Sequence, residues 1–250
     1  MKYIQKKEIP QFFIDDTKDL VTKIKETSQK EKKDIWDNEY KTKRELKRYI
    51  LEVEQNWLCG YCEAKLEETF EREKRENKEL IHIEHIKPKH LDHDNLSFDY
   101  YNLLVSCSGK CFTDDNKPKT CGHKKANKFD DNKPKTCGHK KANKFNENLF
   151  LNPIKDIDIR DYFIYSDNGY IGSSSKNEEK SKYTMNLLEL NTFNNELCEA
   201  RIIALKEFTD KVKKYTKKTD QKPKEVIKKL LNRENLAFIS FLRYKYKFIL

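Results

Sequence analysis

Six of the seven cysteines in this 250-residue chain, and all six of its histidines, fall between Cys59 and His139. Chance scatter does not crowd both residue types into one third of a chain. A stretch so rich in thiols and imidazoles folds around soft and borderline ligands, and so around a metal ion. The run Cys59-Gly60-Tyr61-Cys62 has the spacing with which two thiolates grip one ion while the turn between them points backbone amides at the sulfurs. A thioredoxin-like redox use of the same motif needs a βαβ context, and the flanking pattern lacks one. Cys107 is available for a second pair, with Cys111, Cys121 or Cys137 as its partner. Cys198 lies in a helical tail and reads as a small buried thiol.

Cys121 and Cys137 belong to an internal duplication. The sixteen letters DDNKPKTCGHKKANKF occupy 114–129 and recur unchanged at 130–145. Two copies of this length are too few and too short to stack as a solenoid, so the repeat reads as a loop insertion beside a metal site. Closing a chain loop from Cys107 costs about 0.6 kcal/mol more for each doubling of its length. That leans toward Cys121 and leaves Cys137 open, because the two copies have identical neighbours.

Charged residues make up 38% of the chain and the mean hydropathy is −0.99, yet 14 Phe, 13 Tyr and 2 Trp supply a core and exclude a disordered chain. The net charge of +10 favours a polyanionic partner, of which nucleic acid is the commonest. The first residues, MKYIQKKEIPQFF, hold no apolar run of signal-peptide or membrane-spanning length. The expectation is a cytoplasmic chain with no membrane segment and with reduced thiols.

Residues 1–40 read as an N-terminal arm with a short helix over Asp19–Ser28. Thr42 and Glu45 have the spacing of a capping box, opening a helix whose apolar face carries Leu46, Ile50, Val53 and Trp57. The charge run at 67–80 reads as a solvated helix or loop. Ile81 and Ile83 alternate with His82 and Glu84, which predicts a short strand closed by Pro88. A hairpin is expected to turn near Asn168-Gly169. From Glu178 onward the pattern is helical. One apolar stripe carries Leu197, Ile202, Ile203, Leu205, Phe208 and Val212. A last helix, opened by Pro223, buries Val226 through Ile239. The whole is an α+β chain, with the arm over 1–40, a metal-braced core over 41–155, and a hairpin with C-terminal helices over 156–250.

"HIEHIKPKH" at 82–90, "YYNLLVSC" at 100–107 and "CGHKKAN" at 121–127 form an ordered set that resembles the HNH, or ββα-metal, nuclease motif. More of the chain is similar to the PtuB-type HNH nucleases encoded beside an ATPase in Septu and retron anti-phage systems. The points of contact are "YIQKKEIP", "CGYCEAKL", "HIEHIKPK", "YYNLLVSC", "TCGHKKANKF", "FLNP" and "LLELN".

This resemblance implies a small zinc-braced ββα-metal core with helices on either side. Zn²⁺ would be held structurally by Cys59, Cys62, Cys107 and Cys121, with Cys137 as the alternative. His85 would be the general base, and Glu84 would bind a catalytic Mg²⁺ or Mn²⁺. Asn102 would hold the loop and orient the base. His123 or its duplicate His139 would fill the last catalytic and metal-binding position, with Asn127 or Asn143 as substitutes. The family usually places that His or Asn directly after a cysteine, and here a glycine intervenes.

The implied partners are nucleic acid (DNA ahead of tRNA or other RNA), an ABC-type or AAA-like ATPase of the PtuA type, and a retron reverse transcriptase with its non-coding DNA/RNA. The residue types suit phosphodiester hydrolysis. A neutral imidazole with pKa near 6.5 is a base at cellular pH, and a divalent cation stabilises the leaving oxygen. Two other classes compete: a zinc-braced nucleic-acid-binding module without catalysis, and a scaffold for another subunit. The Glu84–His85 pair discriminates, since binding alone has no need of it.

Overall fold

A computed structural model describes residues 1–26, 35–76, 79–89, 96–107, 137–141, 143–191 and 196–250, with only the backbone at 139 and 140. The first helix starts where Pro10 permits. Having no N–H, a proline suits the entrance to a helix, and its carbonyl accepts from Phe13 and Ile14. Helix α1 therefore runs over Gln11–Glu26, longer than the segment expected from sequence. The residues before it are not a loose arm. Met1 and Ile4 are buried, and Ile4 donates its N–H to Pro153 O at 2.7 Å.

After a π-helical turn at Ile35–Glu39 comes α2 (Lys43–Tyr49), which continues into a second π-helical turn, Ile50–Glu54. Thr42 stands at the N-cap of α2, but its side chain makes no capping bond, so the expected capping box does not form. Leu46, Ile50 and Leu51 are fully buried. Each such side chain contributes about 1.5–3 kcal/mol through removal from water. The second turn ends on Glu54, a buried carboxylate that accepts from Lys6 Nζ (2.7 Å), the Lys7 N–H (3.0 Å) and Tyr100 OH (2.5 Å). This one acid ties the N-terminal strand of chain to the turn that enters the central sheet.

The charge run is helical, as α3 (Glu67–Glu76). It leads to β1 (Ile81–His85), which pairs antiparallel with β2 (Leu103–Cys107), Ile81 opposite Cys107 and His85 opposite Leu103. Every residue of β2 is buried. The short helix α4 (Cys137–Lys141) lies on β2 and on α5 (Glu178–Leu188).

Between them β3 (Phe163–Tyr165) and β4 (Ile171–Ser173) form the expected hairpin. Its turn needs Gly169, which has φ +81° and whose α-carbon faces the Cys198 carbonyl. An added Cβ would lie 2.4 Å from that oxygen. Gly169→Ala should therefore cost about 2 kcal/mol or more, read as a lowered denaturation midpoint. The same turn is clamped by Arg201, fully buried, which donates to Gly169 O and Leu190 O at 2.8 Å each.

Arg201 belongs to α6 (Glu196–Thr219), most of whose expected stripe is buried or half-buried; Ile203 is the exception, 56% exposed. The expected last helix is two, α7 (Pro223–Leu231) and α8 (Ile239–Lys245). Residues 232–238 break it because they are held elsewhere. Glu234 receives the Arg160 guanidinium, and the Phe238 N–H donates to Glu63 O at 2.9 Å. Among the described residues no helix is long and apolar enough to cross a membrane.

Candidate functional site

Backbone hydrogen bonds hold the cysteine turn. The Cys59 N–H donates to Ala64 O at 2.8 Å, the Glu63 N–H to Cys59 O at 3.0 Å and the Gly60 N–H to Val105 O at 2.9 Å. This lays Cys59 and Cys62 beside the end of β2, where Cys107 stands. Cys137, the first residue of α4, completes the group. The four sulfurs lie within 4.8 Å of one another, all buried. The Cys59–Cys137 and Cys62–Cys107 separations are 4.0 and 3.7 Å. A tetrahedral ion with bonds of about 2.3 Å needs sulfur–sulfur edges of about 3.8 Å, so the group fits a structural metal such as zinc. The same distances are far beyond the ~2.05 Å of a disulfide. Burial pushes the Cys62 and Cys137 thiols well up from their ordinary range, so loading the site must release protons.

Of the candidates for a fourth ligand, the structure brings Cys137 into this group, whereas the loop-length argument leaned toward Cys121. That argument counted one loop only. Shifting the ligand by one repeat lengthens the loop from Cys107 by sixteen residues and shortens by the same amount the loop running on to buried Phe150 and Leu151. The two closure terms nearly cancel. Local anchors then hold the second copy: Gly138 N–H donates to Ser106 Oγ at 3.1 Å, and Phe145 rests on Phe150. Cys111, Cys121, His123 and Asn127 lie outside the described residues.

Next to the sulfurs is a carboxylate. Successive strand side chains alternate, so His82 and Glu84 share a face of β1. Glu84 is buried, with Oε1 2.8 Å from Lys141 Nζ and Oε2 3.3 Å from His82 Nε2. Burial alone would raise the Glu84 pKa. The hydrogen bond from His82 and the Lys141 charge outweigh it and hold the carboxyl below its usual range. Lys141 is itself 1% exposed and also donates to His85 O at 3.1 Å.

His85 is placed differently. Its ring stands edge-on to Trp36, centroids 4.6 Å apart, and Nε2 lies 3.0 Å from Ser97 O. A carbonyl can only accept, so Nε2 carries the proton and Nδ1 keeps its lone pair. Burial, aided by the Lys89 charge, drops the pKa to about 3. The pKa near 6.5 expected from sequence does not hold: only 9% of the residue is exposed, and the ring is neutral throughout the cellular pH range.

Because the unfolded chain takes up this proton first, stability falls as pH drops from 6.5 toward 3. Above 6.5 the group adds no pH dependence. The slope is about 1.4 kcal/mol per pH unit. Between pH 7 and pH 5 the chain should lose about 2 kcal/mol that His85→Asn does not lose, measured by urea titration. Equal losses in both would refute a ring buried in its neutral form.

Asn102 closes the site. Its Oδ1 accepts the Lys87 N–H at 2.8 Å, and Nδ2 donates to Lys87 O (3.0 Å) and Leu96 O (3.3 Å). The side chain pins the exit of β1 to the entrance of β2. His139 lies within α4, where the backbone alone is described, and Asn143 is exposed. Cys198 is buried against Arg201, apart from the four clustered thiols.

Two residues escaped the sequence reading. Lys141 could have been found from its place one helical turn after Cys137. His82 could have been found from its i, i+2 relation to Glu84.

No protein-family model matches the chain, and a search of curated proteins finds no match either.

Proposed function

We propose that the chain is a metal-dependent endonuclease of the HNH type that hydrolyses nucleic-acid phosphodiester bonds as the effector of an anti-phage system with an ATPase partner. The sequence resemblance motivates this reading. The observation that carries it is the His85 tautomer. With Nε2 committed to the Ser97 carbonyl, Nδ1 holds a fixed lone pair one residue from an ionised, buried carboxylate. The order β1, β2, α4 around four thiols supports it further, as does the exposed basic end of α6, with Lys213, Lys214, Lys217 and Lys218, which suits a phosphate backbone.

In this reading His85 Nδ1 takes the proton of an attacking water through the small part of the residue left open. The pKa of about 3 makes a weak base. A phosphate arriving beside the ring, drawing away the Lys89 charge, raises that value toward a working one. Asn102 fixes the backbone on either side of the ring. Lys141 keeps Glu84 ionised and lies beside the same carboxylate. Glu84 would hold a divalent cation through Oε2, the oxygen that Lys141 does not take. Such a cation, when bound, would neutralise charge on the leaving oxygen.

The burial of His85 and the pairing of Glu84 with Lys141 favour one second reading, a zinc-braced nucleic-acid-binding module without catalysis. Zinc-loaded full chain, with and without its ATPase, tests both against duplex DNA, single strands and tRNA in Mg²⁺ or Mn²⁺. Product that disappears in His85→Ala supports the nuclease. Salt-sensitive binding with no product under any metal supports the module.

A further inference from the structure

Gly138 stands where the resemblance calls for a histidine or asparagine directly after the cysteine, and the structure shows why no side chain is needed there. A Cβ at this position would lie 2.5 Å from Glu84 Oε2, 2.6 Å from His82 Nε2 and 2.8 Å from Glu84 Cδ. The volume a side chain from α4 would take is filled from the opposite side, by an imidazole of β1. We infer that His82 and Glu84, two residues apart on one strand face, are a chelating pair that holds a divalent transition-metal ion, His82 supplying the nitrogen donor that position 138 does not.

Three observations converge on this pair. His82 Nε2 and Glu84 Oε2 are 3.3 Å apart. Two donors bound to one ion at about 2.1 Å with an angle between 90° and 110° are separated by about 3.0–3.4 Å, so the pair has the bite of a chelate once the ion displaces the proton that Nε2 shares with Oε2. The two Glu84 oxygens are divided in their roles: Oε1 is taken by Lys141 at 2.8 Å, which leaves Oε2 toward His82. Lys141 keeps the carboxylate ionised yet cannot replace an ion at the other oxygen.

Both donors are mostly buried, with side-chain exposures of 15% for His82 and 10% for Glu84, so the site is shielded from bulk water. One nitrogen and one carboxylate oxygen select Mn²⁺, Co²⁺, Ni²⁺ or Zn²⁺ over Mg²⁺, which prefers oxygen alone. Two protein donors leave the remaining positions to water and to a phosphate oxygen. This assignment rests on the nuclease reading for what the ion does, though not for its binding.

Mn²⁺ is the probe, because it has little affinity for the four thiolates already holding zinc. Zinc-loaded full chain is titrated with Mn²⁺ by electron paramagnetic resonance. Nitrogen coordination is read from the ¹⁴N modulation of the electron spin echo. The chain should bind one Mn²⁺ with imidazole modulation. His82→Ala should lose the modulation and weaken binding at least tenfold, while His123→Ala and His139→Ala retain both. His82→Asn, which keeps a donor oxygen and most of the volume, should bind Mn²⁺ without modulation; zinc content and melting confirm that each variant is folded.

Modulation that persists in His82→Ala, or vanishes in His139→Ala or His123→Ala, overturns the inference, as does a wild-type chain that binds no Mn²⁺. Modulation that depends on His82 in a chain that cuts no nucleic acid leaves the metal site standing and fails the nuclease. Cleavage with modulation independent of His82 does the reverse.

Discussion

Cys137→Ser is expected to strip the chain of zinc and to lower its melting temperature by more than about 10 °C, while Cys121→Ser shifts it by less than a degree or so. The argument is local. A structural zinc contributes folding free energy outright, about 10–16 kcal/mol in isolated finger peptides. Even a fraction of that exceeds what a domain of this size tolerates, since about 1 kcal/mol moves the melting point by a few degrees. Cys137 is one of the four clustered sulfurs, and its neighbour Gly138 is bonded to Ser106. Serine keeps the volume but is a far poorer ligand for zinc. Zinc content by elemental analysis and melting by circular dichroism read the two variants together. Equal melting of Cys121→Ser and Cys137→Ser would show that the copies exchange freely and that the second has no advantage.

His85→Ala should reduce cleavage by a factor of about 10²–10⁴, the usual contribution of a positioned general base, with any effect on substrate binding small. Alanine also leaves a void against Trp36 and strips the Ser97 carbonyl of its donor, so a fall in activity alone is ambiguous. His85→Asn resolves it. An asparagine amide can donate to Ser97 but has no basic nitrogen. It should melt close to the parent and still lack activity. Restored activity in His85→Asn would reassign His85 to a supporting role, and undiminished activity in His85→Ala would remove it from the chemistry.

Local patterns carried most of what could be read before folding. The spacing of Cys59 and Cys62, the strand alternation around Glu84 and the Asn168-Gly169 turn all name geometry directly, and the structure contains each one. Less legible were features fixed by distant contacts. The capping box at Thr42 fails although its letters are right. The last helix breaks at 232–238 because Arg160 and Glu63, far away in the chain, hold its middle. The titration of His85 was invisible for the same reason. Its shift comes first from burial, with Trp36 packed against the ring, which no motif around residue 85 encodes, and only then from Lys89 inside the motif. Identical repeats posed a question the letters could not settle, because only the chain on either side distinguishes them.

Cys137, from the second copy, is one of the four clustered thiols, and residues 108–136 join Cys107 to it along the chain. Excising either copy in frame yields one and the same shorter polypeptide, in which a Cys-Gly-His-Lys-Lys segment still precedes Phe150. A chain sixteen residues shorter therefore keeps a counterpart for each of the four clustered cysteines, and its zinc content would read whether the duplication matters to the metal.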